Sequence, residues 1–150
     1  MVSIRDLNSE DRPYWEDLWS GYLDFYSTPL DPVVTEITWS RLLDAKEPMF
    51  ALVAEDEGHI IGIVHCVLHR GTWAIQDHCY LEDLYVSKAA RGKGAGRAMI
   101  EAVYKRADEL QCERVYWLTH ESNLTAQTLY DKIGEKSGFI QYRRPYPPTA

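Results

Sequence analysis

The run Arg91-Gly92-Lys93-Gly94-Ala95-Gly96-Arg97 gathers residue types that could do chemistry together. Its glycines let the backbone take positive φ and let a ligand come close. A helix starting here would aim its first N–H groups at one point, and its dipole would add partial positive charge. Arg91, Lys93 and Arg97 add full charges. Such a cradle suits a pyrophosphate. Two familiar phosphate-binding patterns do not fit it. A P-loop needs Lys and then Ser or Thr after its last glycine, and none stands there. A dinucleotide fingerprint needs G-x-G-x-x-G in a first strand–helix–strand unit, whereas Gly92, Gly94 and Gly96 are spaced G-x-G-x-G in mid-chain. A third pattern is Arg or Gln, two residues, Gly, one residue, then Gly or Ala. Arg91, Gly94 and Gly96 meet it.

The flanking sequence must position this loop. CYLEDLYV before it is rich in aromatic and branched residues and reads as a strand. After it, Ala98, Met99, Ala102, Val103, Ala107 and Leu110 mark one helical face. ERVYWLTH is the next strand, so the loop lies in a strand–helix–strand crossover that predicts a parallel pair. Upstream, VSIRDL is a first strand. SEDRPYWEDLWSGYLDFY and DPVVTEITWSRLLDAK are helices, with Ser9 as a candidate cap of the first. MFALVAED and HIIGIVHCVL form a hairpin across Glu57 and Gly58. Downstream, 123–133 is a short helix stopped by Gly134, GFIQYRR is a last strand, and the closing PYPPTA is expected to fray. The expected fold is α/β: a mixed, mainly antiparallel sheet of six to seven strands flanked by about four helices, with a splayed parallel strand pair.

Composition excludes several classes. With 150 residues, 45% apolar and 26% charged, the chain suits one globular domain, residues 1–150. No run approaches the ~20 apolar residues of a membrane span, and MVSIRDLNSEDR has no apolar signal core, so a cytoplasmic protein without a membrane partner is expected. Cys66, Cys79 and Cys112 form no CxxC pair, which argues against a disulfide framework and a metal site. The net charge of −7 disfavours nucleic acid and favours encounter with a cationic substrate.

The stretch LEDLYVSKAARGKGAGRAMI resembles the coenzyme A-binding motif of the GNAT family of N-acetyltransferases. The strand ERVYWLTH and the Asn123-x-x-Ala126-x-x-x-Tyr130 helix are similar to the next part of that family's pattern. The resemblance covers about residues 48 to 142. YLEDLYV, AVYKRAD, VYWLTHESN and LYDK look like the histone and polyamine acetyltransferase branch, and LEDLYV resembles the matching strand of spermidine/spermine acetyltransferases.

That resemblance implies acetyl-CoA as cosubstrate and direct transfer to a primary amine of a polyamine, amino acid or protein lysine. It implies a bulged strand whose backbone at Leu84, Tyr85 and Val86 pairs with the pantetheine arm. Arg91, Gly92, Lys93, Gly94, Ala95, Gly96 and Arg97 would hold the pyrophosphate. Tyr130 would protonate the leaving thiolate. Asn123 would bind the cofactor or only cap its helix. Glu82 would be the base, because an alkyl ammonium must lose its proton before attack. A bulge would break strand alternation, so Asp83 stays open as the base, as does His120. His65 and Cys66 sit inside a strand and read as core. The acceptor site would draw on Trp19, Tyr22, Tyr26 and Trp39 with Glu16, Asp17, Asp24, Asp31 and Glu36, since aromatic faces and carboxylates suit a cation. The same resemblance suggests a homodimer. A coenzyme A-binding sensor without turnover is the alternative function.

Overall fold

The computed structural model describes residues 1–146. The last four residues of PYPPTA lie outside the described residues. The chain divides into two compact units, Met1–Leu118 and a second that begins at Thr119.

The first unit is built on a sheet of β1 (Val2–Asp6), β2 (Met49–Asp56), β3 (His59–His69), β4 (His78–Val86) and β5 (Arg114–Tyr116), in that spatial order. All pairings are antiparallel except β4 with β5, which is parallel as the crossover requires. Glu57 (φ 50°) and Gly58 (φ 79°) join β2 to β3 in a two-residue turn, and positive φ at both central positions matches the right-handed strand twist. The sheet has five strands among the described residues, fewer than the six to seven expected. GFIQYRR carries no strand, and ERVYWLTH is strand only over Arg114–Tyr116. Phe139, Ile140 and Tyr142 are all exposed, so that segment has the composition of a strand without burying a face.

Helix α1 (Arg12–Phe25) and helix α2 (Pro32–Leu43) precede the hairpin, and α3 (Ala95–Glu109) follows the glycine loop. The cap is Asn8 rather than Ser9: its side chain accepts the Glu10 N–H, while Asp11 accepts the Asn8 N–H, around a 3-10 turn at Ser9–Asp11. Asp11 also takes two 2.8 Å hydrogen bonds from Arg5 on β1, which ties the entry of α1 to the sheet. Asp31 caps α2 through the Val33 N–H, with Pro32 at the first helical position.

One core joins α1, α2 and the sheet: Leu7, Trp15, Leu18, Trp19, Leu42, Ala51, Val53 and Ile63. On the other sheet face Met99, Ile100, Val103 and Ala107 of α3 are buried, while Leu110, expected inside, is exposed. Gly62 on β3 lets Met99 approach, because a Cβ there would meet the Met99 Cε at 2.8 Å. The three cysteines are free thiols, Cys66 and Cys79 buried. No described helix is long and apolar enough to cross a membrane.

The second unit contains α4 (Leu124–Ile133), started by Asn123 and ended at Gly134, whose N–H returns to the Tyr130 carbonyl at 2.8 Å.

Candidate active site

The glycine run connects the end of β4 to α3 through a 3-10 turn at Lys88–Ala90. Gly92 and Gly94 adopt φ of 89° and 80°, and Gly94 occupies the N-cap of α3. A Cβ at either glycine would meet nothing within 4 Å, so both face open space. The helical ladder begins with the Ala98 N–H on the Gly94 carbonyl at 3.0 Å. The amides of Ala95, Gly96 and Arg97 therefore precede it and point out of the helix start. Positive φ without steric need, next to such amides, is the shape of an anion cradle.

The three cations of the loop are tethered. Lys93 Nζ lies 2.8 Å from Asp56 Oδ2. Asp56 also receives the chain's amino terminus, and the two cations hold its carboxyl down to about 2. Arg97 Nε lies 2.9 Å from Glu101. Arg91 donates to the Val86 carbonyl at 3.2 Å and stands 5.7 Å over the Tyr85 ring. These contacts fix three positive charges around the turn.

Strand β4 is split in function along its length. Its parallel ladder with β5 covers only His78, Cys79 and Tyr80, opposite Arg114, Val115 and Tyr116. From Leu81 to Val86 the strand keeps β3 on one side and has no strand on the other among the described residues. Leu84, Tyr85 and Val86 thus sit on an open backbone edge that leads into the glycine run.

A bulge lies at the start of that edge. His65 pairs with Asp83 and Cys66 with Leu81, so Glu82 is the extra residue. Without it Leu81 and Asp83 would share a face; with it, Leu81 pairs opposite Cys66, and Asp83 turns toward α1. Glu82 itself is exposed. Partial burial of its carboxyl and the neighbouring charge of Asp83 push its pKa up.

Behind Asp83 runs a buried polar chain that sequence reasoning placed in the apolar core. Trp15 Nε1 donates to His65 Nε2 at 2.9 Å, and His65 Nδ1 lies 2.9 Å from Asp83 Oδ2. The Tyr22 hydroxyl also hydrogen-bonds Asp83, and burial together with that carboxylate pushes the Tyr22 pKa up. A histidine in an apolar strand, with a tryptophan and a tyrosine one helical face apart upstream, was the available signal.

The aromatic residues expected at the acceptor end, Trp19, Tyr22, Tyr26 and Trp39, form one cluster with Trp15. Trp15, Trp19, Tyr22 and Tyr26 follow each other with centroids 5.9, 5.5 and 4.9 Å apart. Trp39 lies 5.0 Å from Trp15. Of the carboxylates, Glu16 and Glu36 pair with Arg12, and Asp31 is spent on its cap. Asp24 lines a shallow concavity with Ser20, Leu23, Ser27, Thr28 and Pro29.

In the second unit Asn123 Oδ1 accepts the Ala126 N–H at 3.3 Å, so capping is at least one of its roles. Tyr130 is half-buried on α4. His120 Nδ1 lies 2.7 Å from Ser122 Oγ, a local loop contact.

The family model described as "Acetyltransferase (GNAT) family" matches residues 4–134. The D-amino-acid N-acetyltransferase HPA3 of Saccharomyces cerevisiae is 37% identical over 145 residues, 95% of this chain and 90% of that protein. The uncharacterized N-acetyltransferase YhfO of Bacillus subtilis is 27% identical over 143 residues, 94% of this chain and 95% of that protein. Among solved structures, AAC(6')-Iy in complex with a CoA bisubstrate analogue superposes with a TM-score of 0.83 at 17% identity, over 97% of this chain and 98% of that one.

Proposed function

The chain belongs to the GNAT acetyltransferase family and is an N-acetyltransferase, and from that premise we propose that it moves acetyl from acetyl-CoA directly to a primary amine. The acceptor is a small molecule or a lysine-bearing peptide. The observation that carries this reading is the open turn at Gly92 and Gly94, set at the start of α3 and at the end of a strand edge with no partner strand among the described residues.

Acetyl-CoA supplies an acetyl group activated as a thioester. The amides from Gly92 to Arg97, with Arg91, Lys93 and Arg97 around them, hold the pyrophosphate. The backbone at Leu84, Tyr85 and Val86 pairs with the amides of the pantetheine arm as an added strand would. A donor near Tyr85 or Val86 faces the carbonyl oxygen where negative charge grows. Glu82 takes the proton of the acceptor's ammonium; its raised pKa makes it a better base than an ordinary carboxylate. Tyr130 returns a proton to the leaving thiolate, and Asn123 adds a cofactor contact to its cap. Direct transfer needs no nucleophile of the protein, and the free thiols of Cys66 and Cys79 are buried.

An acidic balance of −7 suits a cationic acceptor. Because a relative of 37% identity is named for D-amino acids, these lead the amine panel, followed by polyamines and lysine peptides. Association into a homodimer belongs to the same reading, supported by the exposed Phe139, Ile140 and Tyr142. The test is thiol release from acetyl-CoA across that panel, with Tyr130→Phe beside the native protein. The expected result is amine-dependent release that drops in the variant while its acetyl-CoA affinity holds. Binding of CoA with no turnover on any amine would instead support a sensor.

A further inference from the structure

His65 is an imidazole with both ring nitrogens engaged and only 2% of its surface exposed. An indole N–H can only donate, so the His65 Nε2 that meets it at 2.9 Å carries a lone pair and no proton. The single ring proton is therefore on Nδ1, where it is donated to Asp83 Oδ2. A second proton on Nε2 would set two N–H groups against each other. Trp15 cannot withdraw: it is fully buried and packed on Trp19 and Trp39. His65 thus bridges the two, accepting from Trp15 at Nε2 and donating to Asp83 from Nδ1.

Asp83 is faced by groups from three elements. Tyr22 and Tyr26 approach from α1 and its C-terminal cap, His65 and Cys66 from β3, and Glu82 from β4 itself. None is a fixed cation. Asp83 is held by hydrogen bonds from His65 and Tyr22 without its charge being cancelled, one residue from the bulged Glu82.

We propose that His65, locked by Trp15, is a positioning residue: it holds Asp83 as a fixed negative charge beside Glu82 and so directs the acceptor's proton to Glu82. This rests on the acetyl-transfer reading above. In the step served, an N–H bond of the ammonium breaks and its proton forms an O–H bond on Glu82; the freed nitrogen pair bonds the acetyl carbon as the C–S bond breaks, the thiolate takes the Tyr130 proton, and the second proton shed by the nitrogen restores the Tyr130 phenol. Glu82 then gives the proton to water. A neighbouring like charge disfavours ionisation of a carboxyl and strengthens it as a base, whereas a protonated His65 would pull Glu82 down.

The experiment is an NMR titration of the Glu82 carboxyl and the His65 ring nitrogens in the full chain, in the native protein, Asp83→Asn and Trp15→Phe. In the native protein the His65 ring nitrogens show the Nδ1–H tautomer, with Nε2 as the acceptor. In Asp83→Asn the Glu82 midpoint moves down toward the ordinary value near 4.3. In Trp15→Phe the ring loses the donor that fixes this tautomer, and the Nε2–H form appears beside it. An Nε2–H tautomer of His65 in the native protein, or an unmoved Glu82 in Asp83→Asn, overturns the proposal. Rates add a second readout. His65→Gln lacks the donor to Asp83 and loses roughly tenfold or more in kcat with little change in KM. His65→Asn keeps an N–H where Nδ1–H stands and recovers most of that loss. Equal losses in both variants at equal melting temperature would rule out positioning. The titrations need no turnover, so failure of thiol release on every amine would count against the acetyl-transfer reading alone.

Discussion

Replacing Gly94 with alanine separates what the glycine turn does for the protein from what it does for a ligand. At φ of 80° an alanine pays for the left-handed backbone, about 1–2 kcal/mol. Its Cβ meets no atom within 4 Å, so no packing cost is added in the free protein. For a domain of this size that strain lowers Tm by roughly 2–8 °C. Gly58 is the matched control: φ is 79°, a Cβ would again meet nothing within 4 Å, and it sits in the β2–β3 turn. Gly58→Ala and Gly94→Ala should therefore lose similar stability in differential scanning calorimetry. They should part in a calorimetric titration with coenzyme A. A Cβ at Gly94 enters the space assigned to the pyrophosphate. Displacing one charge-assisted hydrogen bond costs about 1.5–3 kcal/mol, or roughly ten- to a hundredfold in Kd. Gly92→Ala should behave as Gly94→Ala does. If Gly94→Ala binds coenzyme A as tightly as Gly58→Ala, the open turn is not the phosphate site and the reasoning fails.

Two further outcomes follow from the packing. Asp11 is 4% exposed, and its carboxyl sits below the usual range chiefly because Arg5 hydrogen-bonds it, so the native state binds fewer protons there than the unfolded chain. Its stabilisation is complete above the unfolded pKa near 3.9 and is lost as pH falls through the lower folded value; Asp11→Asn should cost about 2 kcal/mol at pH 7 in urea unfolding, discounted for the half-open Arg5, and the gap to the native protein should shrink below about pH 3. In Gly21→Ala the new Cβ would stand 2.7 Å from the Tyr85 hydroxyl oxygen, and the overpacking of about 1–3 kcal/mol should outweigh a helix-propensity gain of about 1 kcal/mol. Tm should fall, and activity with it, because Tyr85 must swing on the β4 edge; a rise in Tm with unchanged activity would show that the ring yields freely.

Much of this was legible in the residues. Two turn residues between apolar runs gave the β2–β3 hairpin, and a strand, a glycine run and an amphipathic stretch gave the parallel crossover, because each signal is local. The misses are tertiary. GFIQYRR has strand composition, yet strand state depends on a partner ladder that composition does not contain. A bulge in this strand was expected from the resemblance and is present, but its place at Glu82 could not be read from alternation, since one inserted residue looks the same in sequence as none. His65 read as core because it sits inside an apolar strand, and it is buried; what the strand does not reveal is that its polarity is satisfied by Trp15, fifty residues away, and by Asp83 on the neighbouring strand. Lys93 and Arg97 read as charges of the loop, and the carboxylate partner of each is one that only the fold reveals.

The central claim is that the backbone amides from Gly92 to Arg97 receive the pyrophosphate. Titrating coenzyme A into the isotope-labelled protein, and following every amide resonance, tests it directly. The account predicts that these amides, with those of Leu84 to Val86, shift first and furthest, at a common saturation point. Saturable binding that moves resonances elsewhere, while the amides from Gly92 to Arg97 stay still, would contradict it.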